Sequence, residues 1–244
     1  CDSGGGCVMC DIGPPLPTAV AYSAATTTIN GTAIVFGGLS ATNVVSCVTQ
    51  VLLPSANSTW RLGTHTATAT CVQRAAAVTL NTATYLIGGC FSIDPTACVT
   101  PASNPVCSSA ITQYDVMRDA WTQTWTLPEP MCAPEAHAVN TTHLIVSTSF
   151  STSSTSSSSS STHSYLWDTT TGEFVVLPSS PFPLSPRGSA YHSASGKMFA
   201  VGGALPRRVL QILQPNSSAP LVQAQKQEQQ QQHQQQQQHH QQQQ

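Results

Sequence analysis

The 244-residue sequence is 40% hydrophobic but only 7% charged, with a formal net charge of −2 and a pI near 6.4. This balance argues against a nucleic-acid partner, which requires a basic surface. No apolar run approaches the roughly 18 residues that a membrane-spanning helix needs. The length suits one large all-β domain or two small domains.

Residues 1–13 form a head rich in cysteine and glycine, which contains a C-x-x-C sequence from Cys7 to Cys10. A zinc site needs four ligands, and Cys1 is the only further candidate nearby. A redox C-x-x-C would precede a helix, and no helical pattern follows. We therefore favour a structural disulfide left from a preceding module, and we expect no metal site and no cofactor. Because the chain starts at Cys1 without a methionine, we interpret it as a fragment or a processed chain.

Cysteine and asparagine usage indicates the secretory pathway. The chain has nine cysteines, and disulfides persist mainly in oxidising compartments. Sequons for N-glycosylation occur at Asn30, Asn57, Asn140 and Asn216. We expect an extracellular or secretory-pathway protein, with a cytoplasmic protein as the alternative.

An apolar run that ends in two glycines recurs along the chain. The glycine pairs are Gly37-Gly38, Gly88-Gly89 and Gly202-Gly203, and a further run, Leu144–Thr148, has Ser147-Thr148 in place of the glycines. Successive copies lie 51, 59 and 55 residues apart. A period near 50 residues with four short strands in each unit is typical of a β-propeller.

The residues between these runs predict short strands and no sustained helix. Four units are expected, with these strands: Ala19–Ser23, Ala33–Phe36, Val44–Leu52 and Thr59–Leu62; Ala75–Leu80, Ala83–Ile87, Ser109–Tyr114 and Ala120–Trp125; Ala136–Asn140, His143–Val146, Ser164–Trp167 and Glu173–Leu177; Gly188–His192, Lys197–Val201 and Val209–Leu213.

Residues at fixed places in these units carry a resemblance to a known family. An aromatic–aspartate pair opens the turn after the third strand, as Tyr114-Asp115 and Trp167-Asp168, and an aromatic follows six residues later, as Trp121 and Phe174. Arg74 and Pro186-Arg187 precede the first strand of their units, as kelch units often show. Over residues 14–215 the chain resembles the kelch-repeat propellers of the galactose oxidase-like superfamily.

The resemblance implies an all-β, kelch-type β-propeller with about three and a half four-stranded blades, at residues 14–65, 66–130, 131–182 and 183–215. The first unit departs from the family pattern because Val51-Leu52 replaces the aromatic–aspartate pair, and the fourth unit has no tryptophan. Kelch propellers usually close a ring of more than four blades. We therefore favour part of a larger ring, with an unusually small or open propeller as the alternative.

The repeated residues have structural explanations. A glycine pair permits positive φ and a close approach of two backbone segments. The large aromatics are expected to wedge between blades, and Asp115 and Asp168 to cap turns rather than to act as acids. We therefore assign a structural role to the glycine pairs and to Tyr114, Trp121, Trp167 and Phe174.

The loops between second and third strands are the candidate binding segments, because variable loops gathered at one end of a rigid scaffold often form a recognition surface. They lie around Leu39 in the first unit, at Cys90–Ser108 in the second and around Ser151 in the third. The second loop holds Cys90, Cys98 and Cys107, so an internal disulfide is expected, with one cysteine pairing elsewhere. The third contains an unbroken serine run from Ser156 to Ser161, which we expect to be disordered. A plain linker is as good an interpretation of that run as a binding loop.

Residues 216–244 form a glutamine-rich tail with scattered histidines, for which we predict disorder. Elsewhere, no familiar catalytic or nucleotide-binding motif occurs. His137 and His143 flank a predicted turn, where surface histidines are a better interpretation than metal ligands.

Two hypotheses for function remain. The first is a non-catalytic scaffold that binds a protein or a carbohydrate through the loops of one face, as the kelch resemblance implies. The alternative is an extracellular enzyme resembling the galactose oxidase-type copper oxidases or the kelch sugar isomerases. No catalytic residues can be assigned for it. The sequence identifies neither the partner nor the disulfide connectivity.

Overall fold

The computed structural model describes residues 13–55, 59–64, 71–91, 106–148, 163–177, 189–192, 195, 197–201 and 210–213. These residues form seventeen β-strands. Within these ranges we find no helix long and apolar enough to cross a membrane. The chain divides into two compact units, Cys1–Pro134 and Glu135–Gln244.

The first unit contains two four-stranded antiparallel sheets, in each of which every strand pairs with the next. Blade 1 consists of β2 (Ala24–Thr27), β3 (Ala33–Phe36), β5 (Thr49–Leu52) and β6 (Trp60–Leu62). Blade 2 consists of β7 (Ala76–Leu80), β8 (Ala83–Ile87), β9 (Ser108–Asp115) and β10 (Ala120–Met131). A small additional sheet joins β1 (Val20–Ala21) to β4 (Leu39–Ser40).

The second unit repeats this arrangement. Blade 3 consists of β11 (Pro134–Ala138), β12 (His143–Thr148), β13 (His163–Asp168) and β14 (Phe174–Leu177), paired in sequence order. Blade 4 has three described strands, β15 (Ser189–His192), β16 (Lys197–Val201) and β17 (Leu210–Leu213). This all-β arrangement of successive antiparallel meanders is consistent with a propeller built from blades.

Apart from Ala19–Ser23, each predicted strand overlaps a strand of the structure, although some bounds differ; β10, for example, extends to Met131, beyond the predicted Ala120–Trp125. The predicted strand Ala19–Ser23 is wrong, because the first strand of this blade is β2, Ala24–Thr27. Val20–Ala21 instead pairs with Leu39–Ser40, and Tyr22 has φ of 54°, which breaks the extended chain between the two strands. The predicted strand Val44–Leu52 is too long, since Ser40 and Val44 close a turn and β5 starts at Thr49.

Blades 1 and 2 share an apolar core that contains the predicted aromatic wedge. Phe36 of blade 1 lies 5.7 Å from Tyr114 and 5.4 Å from Trp121 of blade 2, measured between ring centroids. Tyr114 and Trp121 in turn lie 5.2 Å apart. The same cluster includes aliphatic side chains from both blades, namely Ala24, Ile34, Val51, Val72 and Leu86. The aromatics thus join two sheets between which no strand pairing occurs in the described part of the chain.

The second unit has the corresponding pair and its own core. Trp167 and Phe174 stack with centroids 5.8 Å apart and ring planes 9° from parallel. Ile145 and Leu177 of blade 3 pack with Met198 of blade 4 in one buried cluster. The hydrogen bond between His137 Nε2 and Ser189 Oγ also joins the first strands of these blades.

Candidate functional site

The glycine pairs at the ends of β3 and β8 lie against the segments that connect the blades. Gly38 N–H donates to the Val72 carbonyl and Gly89 N–H to the Met131 carbonyl, both at 2.8 Å. All four glycines have positive φ, at 57° and 98° for Gly37 and Gly38 and at 60° and 101° for Gly88 and Gly89. The predicted backbone conformation and close approach are therefore confirmed for these two pairs. Gly202 and Gly203 lie outside the described residues.

Two disulfides fasten the same segments in successive blades. Cys47 pairs with Cys71 across 24 residues, and Cys107 pairs with Cys132 across 25 residues. In each case the first cysteine precedes the third strand of its blade, and the second lies on the segment leading to the next blade. The two cysteine pairs have nearly equal separations, 24 and 25 residues, and stand at equivalent places in successive blades. This regular spacing is a signal in the sequence that indicates both pairings.

The structure describes two of the three cysteines of the second loop, Cys90 and Cys107. Cys107 pairs with Cys132, outside its own loop, as one of the three loop cysteines was expected to do. Cys90 is also disulfide-bonded and fully buried. Cys98 lies outside the described residues.

These segments form one end of the first unit, which we call the loop face. It comprises residues 20–23, 37–48, 71–75, 88–91, 106–107 and 131–133. The antiparallel order of each blade places these segments at one end of the strands and the turns at residues 28–32 and 115–119 at the other. Leu39, around which a binding loop was predicted, is itself buried, and its loop exposes Val44 instead.

Backbone hydrogen bonds run continuously across the loop face. Ser40 N–H donates to the Val44 carbonyl, and β4 pairs with β1, which leads directly to Tyr22. Arg74 N–H donates to the Tyr22 carbonyl at 2.7 Å. The next residues continue the path, because Gln73 and Cys90 exchange two hydrogen bonds and Phe91 N–H donates to the Val106 carbonyl.

Four large apolar side chains along this path are exposed. Val44 and Val106 are 59% and 65% exposed, and Tyr22 and Phe91 are 46% and 38% exposed. Burying them against a partner would be favourable by about 25 cal/mol for each Å² of apolar area removed from water. The loop face therefore combines a fixed backbone with apolar side chains that have no cover within the described part of the unit.

Tyr22 and Arg74 form the centre of the path. Both have positive φ, at 54° and 55°, although neither is glycine. The Arg74 guanidinium carbon lies 4.2 Å from the Tyr22 ring centroid, which is a cation–π contact. Arg74 Nε is buried and has no hydrogen-bond partner among the described residues.

The turn at residues 115–119 shows the capping role expected of the aspartates. Asp115 Oδ1 accepts hydrogen bonds from the amides of Met117 and Arg118, at 2.9 and 3.1 Å. In blade 3, Asp168 Oδ1 accepts from the Thr170 amide at 2.8 Å and from the Thr170 hydroxyl at 2.6 Å. These hydroxyl and amide hydrogen bonds hold the pKa of Asp168 below its usual value of 3.8. Both carboxylates thus stabilise turns.

Asp119, which the sequence analysis did not single out, joins the two blades of the first unit. Its carboxylate accepts hydrogen bonds from the Tyr114 hydroxyl, from Arg61 Nη1 at 2.9 Å and from the Thr64 amide at 3.0 Å. Burial alone would raise the pKa of Asp119, but these hydrogen bonds outweigh it and lower the pKa below 3.8. Burial and the neighbouring carboxylate together raise the pKa of Tyr114 above its usual value. This cluster is a structural tie between blade 1 and blade 2.

His137 and His143 of the second unit engage other side chains. His137 shares a hydrogen bond with Ser189, and burial lowers the pKa of the His137 imidazole. His143 Nδ1 lies 2.8 Å from the Thr142 hydroxyl and its Nε2 lies 3.8 Å from Asp168 Oδ2. Within the described ranges, no group of three or more His, Cys, Asp or Glu side chains is arranged to hold a metal ion.

The remaining predicted residues divide into exposed ones and ones that are not described. Asn30 and Asn140 are exposed at turns between first and second strands, so both sequons are accessible. Asn140 Oδ1 accepts from the amides of Thr142 and His143, both at 2.8 Å. Ser151, Asn57 and Asn216 lie outside the described residues.

Comparison with known proteins identifies the fold alone. No protein-family profile matches the sequence, and no curated protein matches it. The chain is similar to the solved structure of YjhT, a kelch-type, β-propeller-like protein, with a TM-score of 0.55 and 11% sequence identity. The similarity covers 84% of this chain and 68% of that chain. At this identity the likeness supports a blade-based all-β fold and transfers no function.

Proposed function

We propose that this chain is a kelch-type, non-catalytic scaffold that binds a protein or glycan partner through the loop face of its first unit. The observation that carries the proposal is the set of exposed apolar side chains along one hydrogen-bonded backbone path. Contiguous exposed apolar surface on a soluble protein is a feature of interaction sites. The proposal therefore rests on surface chemistry in addition to the resemblance of the fold.

The disulfides support a binding role because they limit how far the loop face can move. A surface that is already ordered loses less conformational entropy when a partner binds. Cys47–Cys71 and Cys107–Cys132 each attach a loop to the segment that follows its blade. The loop face is in this way pre-organised in both blades of the unit.

The opposite end of the unit provides a contrast. It also exposes apolar side chains, of which Ile29 and Met117 are 82% and 88% exposed. Each of these sits at the tip of a different hairpin turn, and single exposed apolar residues are ordinary on protein surfaces. Met117 is therefore a suitable control for substitutions on the loop face.

The same cysteines support a proposal about the compartment. Cysteine pairs at bonding distance favour an oxidising environment. We propose an extracellular or secretory-pathway location, in which the exposed Asn30 would carry a glycan at the end opposite the loop face.

The experiment uses the labelled full chain on an array of immobilised extracellular proteins and glycans. We expect Val44→Glu and Val106→Glu to abolish binding to every species that the unmodified chain binds, because each places a charge in the apolar surface. Met117→Glu should retain that binding. Binding that survives both loop-face substitutions, or that Met117→Glu removes, would contradict the proposal.

A further inference from the structure

We propose that Arg74 and Tyr22 anchor a carboxylate carried by an acidic peptide segment of the partner. This inference rests on the proposed function, because it names the chemistry that the loop face selects. It concerns a ligand type that neither the fold nor the comparisons assign.

The first argument is the backbone conformation of both residues. Tyr22 and Arg74 each stand two residues before the first strand of their blades, with nearly the same positive φ. This region of conformational space disfavours residues with a Cβ atom, and glycine or asparagine adopts it more readily. Large side chains kept in a disfavoured conformation are found most often at functional sites. Here the conformation brings the two side chains into contact at 4.2 Å.

The second argument is the state of the guanidinium group. Arg74 has no ion pair with any described residue, and its buried Nε has no hydrogen-bond partner among them. Arg74 is also the single ionised side chain among the residues that define the loop face. Guanidinium groups bind carboxylates through two parallel hydrogen bonds. Arg74 is partly exposed, and its two terminal Nη groups supply the donors for such a pair.

The third argument concerns the residues around this pair. Val44, Phe91 and Val106 are exposed along the same path and offer aliphatic and aromatic surface. Such surface suits apolar side chains, which a peptide can supply and a sugar acid cannot. A peptide in which acidic and apolar residues alternate therefore matches the loop face better than an acidic sugar.

The test compares two capped pentapeptides, one that alternates leucine and glutamate and one that alternates leucine and glutamine. Binding to the full chain is titrated by NMR, beside a titration with sodium glucuronate. We expect the glutamate peptide to bind roughly 10- to 100-fold more tightly than the glutamine peptide, as for loss of a charge-assisted hydrogen bond. Arg74→Asn should remove this preference, and asparagine is chosen because it tolerates positive φ.

Arg118→Asn is the matched control, because the Arg118 side chain is 79% exposed at the opposite end of the unit. Equal binding of the two peptides, or an unchanged preference in Arg74→Asn, would overturn the carboxylate assignment and leave loop-face binding intact. Binding of glucuronate but of neither peptide would overturn the assignment to a peptide. Failure of every probe would overturn this inference alone, since the array with Val44→Glu and Met117→Glu tests the proposed function separately.

Discussion

Replacing Gly88 by alanine tests whether the glycine pairs are required by the contact between blades and their connecting segments. An added Cβ at Gly88 would lie 2.8 Å from the Met131 carbonyl oxygen and 3.0 Å from Pro134 Cγ. Relief of this overlap requires a shift that costs about 1–3 kcal/mol. The positive φ of 60° adds about 1–2 kcal/mol for a residue with a Cβ. We therefore expect Gly88→Ala to lower the free energy of unfolding by about 2–5 kcal/mol.

Gly31→Ala separates the contact from the backbone conformation. Gly31 also has positive φ, at 80°, but its nearest neighbour to an added Cβ lies at 3.4 Å, which is ordinary contact. Gly31→Ala should therefore lower the free energy of unfolding only by the cost of the positive φ, about 1–2 kcal/mol. Guanidinium unfolding followed by tryptophan fluorescence measures both, since Trp60, Trp121 and Trp125 all lie in the first unit. Equal losses in the two variants would refute the argument that close approach explains the glycine pair.

Two further predictions concern the ties within the first unit. Asp119→Asn should lower the free energy of unfolding at pH 7 by about 1–3 kcal/mol, because a carboxylate that accepts hydrogen bonds from Tyr114 and Arg61 is lost. Since the folded pKa of Asp119 lies below 3.8, its contribution is complete above that pH and disappears as pH falls through the folded pKa, so variant and unmodified chain should converge in acid. A difference that stays constant down to pH 2 in urea unfolding would contradict this. Replacing Cys107 and Cys132 together by serine should lower the free energy of unfolding by about 2–4 kcal/mol. It should also accelerate amide hydrogen exchange at residues 88–91. Unchanged exchange there, in the same double variant, would show that the disulfide does not order the loop face.

Local sequence patterns predict most of this fold. The apolar runs before Gly37 and Gly88 became β3 and β8, and Ala83–Ile87 was predicted to the residue. The turn aspartates were predictable for the same reason, since Asp115 caps the amides two and three residues ahead of it. The residues that determine these strands and turns lie within a few positions of one another in the sequence.

The error at Ala19–Ser23 has a different origin. That segment has the composition of a strand, but Tyr22 at positive φ divides it, and its first part pairs with Leu39–Ser40. Nothing in the sequence around Tyr22 specifies a left-handed residue, because tyrosine is ordinarily a strand former. The conformation accompanies the contact with Arg74, which lies 52 positions further along the chain.

The candidate site was predictable only in outline. The first expected loop and the described ends of the second, Cys90 and Cys107, lie on the loop face, and one cysteine of the second loop does pair outside it. The third expected loop, around Ser151, lies outside the described residues. The exposed residues on this face and the role of Asp119 depend on which backbone segments from two blades become neighbours. Such contacts between distant parts of the chain leave no periodic signal in a single sequence.

Site-specific photo-crosslinking most directly tests the claim that the loop face is the binding surface. A benzophenone side chain is placed at Phe91 on the loop face, or at Met117 at the opposite end, and each full chain is irradiated with an array-identified partner. The account predicts a covalent product from position 91 and none from position 117. A product from position 117 alone would contradict it.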